Sequence, residues 1–347
     1  MRRLLLCGLV ALGLVSSGDA APSPPKRSWA QIQIEQVVQA GLFAEAPTAF
    51  KPQRPLTQRA LAGALDALAA SAPEPAEYQS RVRAPGRAVT IRELDAALVG
   101  FLGLGDAART VTDALRDAGL TPKRGVGTET VARLLGLRFN HPAPEDTLEL
   151  GLEEPATRAE AAFSLARLLD LSGWEQNRIR ASIEQLVLPE LTDPQRRILR
   201  RAVSFVGSPY VWGGTSEERQ QVWDGRRLPG GFDCSGFIWR VFKLEPFPGD
   251  PALASVLRGR TTYEMSGEVP AAQRIKKLEN LQPGDLIFQG ALGSRSKPAQ
   301  VDHAAIYLGG GWFVHSSGNG TTLHPLQGWY HDRFAWARRP LREAVLG

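Results

Sequence analysis

The chain changes character near its middle, and this change limits the folds that it can adopt. Residues 29–171 are rich in alanine and leucine, which recur at helical spacing between proline-containing breaks. From residue 210 to residue 340, glycines, aromatic residues and short β-like runs dominate instead. A sequence of 347 residues also exceeds one ordinary core. We therefore predict a mostly α-helical N-terminal domain followed by an α+β domain.

The first twenty residues have the pattern of a secretory signal peptide. Arg2 and Arg3 precede an apolar run over 4–15 that is too short to span a bilayer, and small residues lead to Ala20. We expect cleavage after Ala20 and a protein that is secreted, periplasmic or associated with the cell wall. A proline-rich spacer follows at 21–28, and no later stretch predicts a membrane span.

The chain is mildly basic, with a formal net charge of +5 at pH 7. Its arginines are scattered, and no basic stripe is interleaved with aromatic residues, so nucleic acid is not expected as a partner. An anionic cell-wall polymer is compatible with this balance. Ordinary solvated charge explains the balance equally well.

Three segments of the helical region end alike and suggest an internal repeat. Their helices open with Thr-Gln-Arg at 57–59, Thr-Ile-Arg-Glu at 90–93 and Thr-Arg-Ala-Glu at 157–160. A threonine caps a helix, and a glutamate three residues later completes a capping box. The openings resemble those of the S-layer homology repeat, which implies a wall-binding module over residues 29–171. A generic helical spacer would begin its helices in the same way.

Residues 172–192 are predicted to be a linker, although an additional helix is also compatible with them. Asp193 and Pro194 then predict the start of a helix, with the aspartate as its cap and the proline in its first turn. We place the domain boundary here, so that the second domain spans residues 193–347.

Cys234 is the cysteine that remains after the predicted cleavage, since Cys7 lies inside the apolar run. Cysteines outside the cytoplasm usually pair, so a lone thiol indicates either a chemical role or a small buried apolar residue. The sequence FDCSGFIWRVF predicts a helix that Asp233 caps, with Cys234 in its first turn. The positive end of the helix dipole predicts a lowered pKa for this thiol. Gly236 is expected to leave room for a substrate.

Two histidines lie on a predicted β-hairpin downstream of this cysteine. The sequence HAAIYLGGGWFVHSS predicts two strands joined by the three glycines at 309–311. With that loop, Leu308 faces Trp312, and His303 lies diagonally across from His315, roughly 7–8 Å away on one face. A shift of one residue would place the two rings on opposite faces. On a shared face, one histidine is able to take the thiol proton while the other fixes its tautomer.

The alternative chemistry for these side chains is a zinc site, with the ligands Cys234, Asp302, His303 and His315. The sequence contains no HExxH or CxxC spacing, so we expect neither a metal nor another cofactor. The remaining histidines lack comparable context and are expected to be structural, namely His141, His324 and His331.

Several elements of the second domain occur in an order that resembles a known family. They are GSPYVWGG at 207–214, DCSGF at 233–237, PGDLIF at 283–288, HAAIYLG at 303–309 and a strand with His315. This order resembles the NlpC/P60 cysteine peptidases, which have a circularly permuted papain-like fold with a helix packed on an antiparallel sheet. The resemblance implies cleavage of peptidoglycan stem peptides, commonly at the γ-D-glutamyl bond to diaminopimelate or lysine.

The resemblance also implies roles for individual residues. It implies Cys234 as the nucleophile, His303 as the base and His315 as the orienting residue. The substrate-binding residues that it implies are Tyr210, Asp233 and Ser235. Long segments at 215–231 and 243–280 depart from the family pattern, which leaves the choice of substrate open. Two alternatives also remain open, a non-catalytic wall-binding protein with the same fold and a thiol acyltransferase.

Overall fold

The structure is a computed structural model, and it describes residues 27–43, 46–71, 82–141, 149–221, 225, 227–243 and 251–346. The predicted signal peptide at 1–20 and most of the predicted spacer at 21–28 lie outside the described residues. Within the described ranges, every helix is too short or too polar to cross a membrane.

The first half of the described chain is helical, as predicted. Its helices are α1 (Gln31–Gln39), α2 (Gln58–Ser71), α3 (Ile91–Phe101), α4 (Gly105–Asp117), α5 (Val126–Leu134), α6 (Arg158–Asp170), α7 (Gly173–Glu184) and α8 (Asp193–Ser204). Helix α7 occupies most of the predicted linker. The repeating apolar residues form the buried faces, as Leu94 and Leu98 of α3 illustrate with 0 % exposure.

The three repeat-like helix openings meet at one point. The backbone N–H of Leu56 donates to the carbonyl of Ala156, that of Val89 to Leu56, and that of Ala156 to Val89, each at 2.8 Å. These bonds form a closed ring with one member from each opening. The side chains of Thr90 and Thr157 cap α3 and α6 by accepting a hydrogen bond from the backbone N–H of the glutamate three residues later. Both predicted caps are therefore confirmed.

Helix α8 connects the two halves. Its cap is Thr192, which exchanges hydrogen bonds with Gln195, whereas Asp193 is already the first helical residue. The prediction of Asp193 as the cap is wrong, because the capping box moves the helix start one residue upstream. The buried side chains of α8 belong to one apolar core that extends from Ala30 to Ala344 and so includes both halves.

The second half contains a five-stranded antiparallel sheet in the order β8-β7-β6-β5-β9. The strands are β1 (Thr215–Ser216), β2 (Gln220–Gln221), β3 (Arg227–Leu228), β4 (Gly231–Phe232), β5 (Leu286–Gly290), β6 (Val301–Gly309), β7 (Trp312–Ser317), β8 (Gly320–Pro325) and β9 (Phe334–Arg338). The accompanying helices are α9 (Cys234–Phe242), α10 (Pro251–Val256), α11 (Thr262–Gly267), α12 (Trp329–Asp332) and α13 (Pro340–Glu343). Helix α9 packs against β6 and β7. The predicted helix on an antiparallel sheet, preceded by a helical region, is therefore confirmed.

The β6–β7 hairpin has most of its predicted register. Ile306 pairs with Val314, which is the alignment that a three-glycine loop requires. At the tip, Gly309 pairs with Trp312 because a bulge interrupts the ladder. The predicted pairing of Leu308 with Trp312 is therefore wrong, but the error is confined to the tip and does not reach the histidines.

Candidate active site

Cys234 is the first residue of α9, and Asp233 alone separates it from β4. The carboxylate of Asp233 accepts a hydrogen bond at 2.5 Å from the backbone N–H of Gly236, which confirms the predicted cap. The predicted reason for Gly236 is wrong. A Cβ at this position would lie 1.9 Å from the carbonyl oxygen of Gly214, so the glycine is required by backbone packing and not by a substrate.

The thiol of Cys234 is buried, with 9 % of the residue exposed. Burial, followed by the charge of Asp233, raises the pKa of the Cys234 thiol to about 12. Backbone hydrogen bonds from Ser235 and Ala304 and the charge of Arg260 act in the opposite direction but do not compensate. The predicted lowering of this pKa is wrong, because burial destabilises the thiolate more than the N–H groups at the helix start stabilise it. The resting sulfur is therefore a neutral thiol.

His303 on β6 and His315 on β7 project from the same face of the sheet. Nε2 of His303 lies 2.8 Å from Nδ1 of His315. The two rings are nearly perpendicular, with an interplanar angle of 85° and centroids 5.0 Å apart. Since this contact uses Nε2 of His303, its Nδ1 is the nitrogen left to accept a proton from another group.

Both imidazoles are neutral near pH 7. Burial lowers the pKa of His303 to about 4, although the charge of Asp302 acts in the opposite direction. Burial also lowers the pKa of His315 well below its ordinary value, and the charges of His303 and His324 lower it further. One ring of the pair therefore donates and the other accepts in their hydrogen bond.

Aromatic rings pack around the ring of His315. Its ring centroid lies 4.9 Å from that of Phe313, 5.1 Å from that of Tyr330 and 6.0 Å from that of His324. Tyr330 also contacts the ring of His303, with centroids 6.0 Å apart. His315 has 0 % exposure, so the surrounding rings restrict its orientation. The aromatic enclosure thus holds the partner of His303 in place.

The geometry gives little support to the zinc alternative. The two imidazoles use one nitrogen each to bond to each other, which leaves one nitrogen of each ring as a potential ligand. Asp302 instead accepts a hydrogen bond from the guanidinium of Arg333. Over the described ranges of the chain, no three His, Cys, Asp or Glu side chains are grouped to hold a metal ion.

Arg260 fixes the two polar residues that flank the cysteine. Its guanidinium donates to Oγ of Ser235 at 2.7 Å and to both carboxylate oxygens of Asp233 at 3.3 Å. Asp233 also accepts a hydrogen bond at 2.9 Å from the backbone N–H of Gly213. Asp233 and Ser235 are 8 % and 6 % exposed, so internal hydrogen bonds already engage most of their polar atoms. Together the three side chains form a rigid polar wall beside the thiol.

Tyr210 lies in the loop between α8 and β1. Its backbone forms a parallel bridge with Phe232, two residues before the cysteine. Burial raises the pKa of the Tyr210 phenol, and the charges of Cys234 and Asp233 raise it further. The phenol is therefore close enough to both groups to line the site.

Two side chains of the site escaped the sequence analysis. Arg260 lies in the long segment 243–280, where nothing in the sequence connects it with Asp233. Gln289 of β5 is the cross-strand partner of His303, is 0 % exposed, and has no hydrogen-bond partner for either amide atom among the described residues. Its position next to His303 follows from strand pairing, which the run PGDLIFQG does not reveal.

Comparisons with known proteins find similarity over part of the chain. Residues 207–339 match the family model described as NlpC/P60 family. The chain is 28 % identical over 129 residues to the gamma-D-glutamyl-L-lysine dipeptidyl-peptidase of Bacillus subtilis (strain 168), a match that covers 37 % of this chain and 34 % of that protein. It is 29 % identical over 133 residues to the bifunctional muramidase/DL-endopeptidase CwlT of the same organism, covering 38 % of this chain and 32 % of the relative.

A solved structure is also similar. The crystal structure of an NlpC/P60 family protein from Bacillus cereus ATCC 10987 is 27 % identical, covers 45 % of this chain and 43 % of that chain, and has a TM-score of 0.32. The chain spans about a third of the length of the two curated relatives.

Proposed function

We propose, from the NlpC/P60 domain that residues 207–339 form, that this protein is a peptidoglycan endopeptidase that hydrolyses stem-peptide amide bonds. The observation that carries the proposal is the 2.8 Å contact between Nε2 of His303 and Nδ1 of His315, on strands against which the helix of Cys234 packs. This arrangement offers a nucleophile, a base and a group that orients the base.

In the first step, Sγ of Cys234 attacks the carbonyl carbon of the scissile amide. Nδ1 of His303 takes the thiol proton as the C–S bond forms, and the carbonyl π electrons move to the oxygen. The backbone N–H of Cys234 at the helix start stabilises this oxyanion. The pKa values of about 12 for the thiol and about 4 for His303 disfavour an ion pair at rest, so proton transfer accompanies the attack.

In the second step, the imidazolium of His303 gives its proton to the leaving amine as the C–N bond breaks. The product is an acyl-enzyme thioester. His303 then takes a proton from water, whose oxygen attacks the thioester carbonyl. The C–S bond breaks, the imidazolium of His303 returns its proton to Sγ of Cys234, and the carboxylic acid product leaves and ionises in solvent. His315 stays hydrogen-bonded to Nε2 of His303 throughout and keeps Nδ1 directed at the reaction.

We place the cut at the γ-D-glutamyl bond to diaminopimelate or lysine. This choice is supported by the similarity to a relative named for γ-D-glutamyl-L-lysine cleavage. It is also supported by Arg260, whose side chain is 30 % exposed beside Asp233 and Ser235 and suits a substrate carboxylate. Tyr210, whose phenol is near Cys234 and Asp233, is a further candidate for contact with the substrate.

The test is digestion of defined muropeptides by the purified protein, with products identified by mass spectrometry. Wild type should release fragments cut at one bond, and Cys234→Ala and His303→Ala should lose activity by several orders of magnitude. His331→Ala is the matched control, because His331 is an exposed histidine on α12 and should leave cutting unchanged. Equal cutting by wild type and Cys234→Ala would end the proposal. An added amine acceptor distinguishes hydrolysis from acyl transfer.

A second candidate is a wall-binding protein without catalysis. The observation that favours it is the buried thiol, whose pKa is raised to about 12. In the same digestion it predicts intact muropeptides with wild type, together with cosedimentation of the protein with peptidoglycan. Release of any stem-peptide fragment by wild type but not by Cys234→Ala excludes it.

We also propose that residues 29–171 dock the enzyme on an anionic cell-wall polymer after export. The support comes from the three repeat-like openings that close into a ring. The net charge of +5 belongs to the whole chain and adds no support, because residues 29–171 contain 15 Lys and Arg against 18 Asp and Glu. Cosedimentation of the full Cys234→Ala chain with wall fragments, before and after chemical removal of the anionic polymer, tests the partner. Binding that is independent of the polymer would contradict this part. The amino-terminal residue of the exported protein tests cleavage after Ala20.

A further inference from the structure

Asn140 of the helical region hydrogen-bonds to the backbone of Tyr210 through both ends of its amide. The N–H of Tyr210 donates to Oδ1 of Asn140 at 2.7 Å, and Nδ2 of Asn140 donates to the carbonyl of Tyr210 at 3.1 Å. The amide therefore pairs with Tyr210 as a neighbouring strand would. Two bonds of opposite polarity define both the position and the orientation of one peptide segment.

Asn140 is itself held in place by the residue that follows it. His141 is fully buried, and its ring stacks on that of Trp29 with centroids 4.3 Å apart and planes 11° apart. Its Nε2 lies 3.3 Å from Oε1 of Glu160 on α6. The helical region thus supplies a rigid base for the Asn140 side chain, and His141 has the structural position expected from the sequence.

The segment before Tyr210 has little packing on one side. A cavity of about 550 Å³ lies where the helical region meets residues 206–209, and residues 151–154 and 123–124 form its other walls. Backbone hydrogen bonds hold the neighbours of Tyr210, since the N–H of Gly207 donates to the carbonyl of Thr321 and the N–H of Val211 to that of Phe232. Asn140 in addition engages the N–H and the carbonyl of Tyr210 itself, on the side where the cavity provides no packing contacts.

We propose that Asn140 is a positioning residue for catalysis, which holds Tyr210 against Cys234 and Asp233 from the helical region. The inference rests on the proposed endopeptidase function. Through Asn140, the helical region would contribute to catalysis in addition to its proposed docking on the cell wall. A displaced Tyr210 would leave the nucleophile and both histidines in place but would open one side of the substrate subsite.

The first test compares Asn140→Ala with the matched control Asn177→Ala, whose side chain is exposed on α7. Asn140→Ala should lower kcat/KM for a muropeptide on the order of tenfold, since small displacements near reacting groups cost about that or more. The control should be within twofold of wild type. The same comparison in a Tyr210→Phe background isolates the route of the effect. If Asn140 acts through the phenol, its replacement there should cost much less. Equal losses in both backgrounds would overturn the proposal.

The second test does not need activity. Amide hydrogen exchange of the peptide that contains Tyr210 should accelerate in Asn140→Ala and stay unchanged in Asn177→Ala, because Asn140 is the acceptor of the Tyr210 N–H. Unchanged exchange would overturn the proposal even if wild type cleaves muropeptides. If wild type does not cleave muropeptides, the proposed endopeptidase function is wrong. Faster exchange in Asn140→Ala would still show that Asn140 restrains the backbone of Tyr210.

Discussion

Nδ1 of His315 lies within hydrogen-bond distance of Nε2 of His303, and this relationship gives the two nitrogens of His303 different tasks. Nε2 contacts the neighbouring strand, so Nδ1 is the nitrogen that takes the thiol proton in the proposed mechanism. For Nδ1 of His303 to act as the proposed base, its Nε2 must carry the hydrogen, so His303 donates and His315 accepts in this contact. A change at position 315 should therefore affect the tautomer of His303 without removing the base itself.

Replacement of His315 by asparagine or leucine tests this division of tasks. The side-chain oxygen of asparagine lies near the position of the histidine Nδ1 and is also an acceptor, so His315→Asn should keep kcat within about tenfold to 10²-fold of wild type. His315→Leu removes the acceptor and should cost about 10²–10⁴-fold in kcat. Steady-state kinetics on one muropeptide measures both. Equal activity of the two variants would mean that the hydrogen bond does not orient His303.

The buried Cys234 thiol should be slow to ionise. With its pKa raised to about 12, the alkylation rate of Cys234 by iodoacetamide should rise about tenfold per pH unit from pH 7 to pH 9, without a plateau. Mass spectrometry of the alkylated protein over time gives the rate at each pH. A plateau below pH 8 would indicate a resting thiolate–imidazolium pair and would contradict this prediction.

The folded state should be less stable with Gln289 than with methionine at the same position. Its buried amide lacks partners among the described residues, and burial of an unsatisfied amide costs about 1–3 kcal/mol. Gln289→Met should therefore raise the free energy of unfolding by about 1 kcal/mol, as measured by urea denaturation. The exposed Gln273→Met is the control and should stay within about 0.5 kcal/mol of wild type. A loss of stability in Gln289→Met would show that the amide is bonded, for instance to an ordered water.

Acid should destabilise the domain through its buried histidines. Burial lowers the pKa of His303 and of His324 to about 4, below the ordinary value of 6.5. Between these values the unfolded chain binds more protons than the folded chain, so the free energy of unfolding falls as pH decreases from about 6.5 to about 4. This contribution is fully present above pH 6.5 and is lost as pH falls through 4.

Urea denaturation across this pH window, for wild type and His324→Phe, measures the effect. The variant lacks one of the titrating groups, so its free energy of unfolding should depend less steeply on pH. Buried carboxyls titrate in both proteins and cancel in the comparison. Equal slopes would show that His324 is protonated as easily in the folded chain as in the unfolded one.

The parts of the site that sequence predicts are those set by local geometry. The cap by Asp233 and the position of Cys234 in the first turn depend on consecutive residues, and the shared face of His303 and His315 follows from the period of a strand. The roles of these residues in catalysis remain predictions. The sequence analysis failed for the thiol pKa because burial of Cys234 depends on the whole domain.

Long-range contacts explain the other omissions. Arg260 reaches Asp233 from 27 positions along the chain, and Asn140 reaches Tyr210 from 70 positions away. Neither partner is marked by a spacing or a motif. The division into a helical half and an α+β half was predictable, since it depends on periodicity. The continuous core that joins the halves was not, because apolar residues do not reveal which neighbours they contact.

The ring of hydrogen bonds among Leu56, Val89 and Ala156 limits how this helical region is able to vary in length. Stacked repeat proteins gain or lose units at open ends, since each unit contacts only its neighbours. A cycle has no such ends. Deletion of one member would leave one buried N–H and one buried carbonyl of the other two without their hydrogen-bond partner. A fourth member could join only if one of the three hydrogen bonds broke. The number three is therefore built into the architecture, and truncated versions of this region should unfold as a whole.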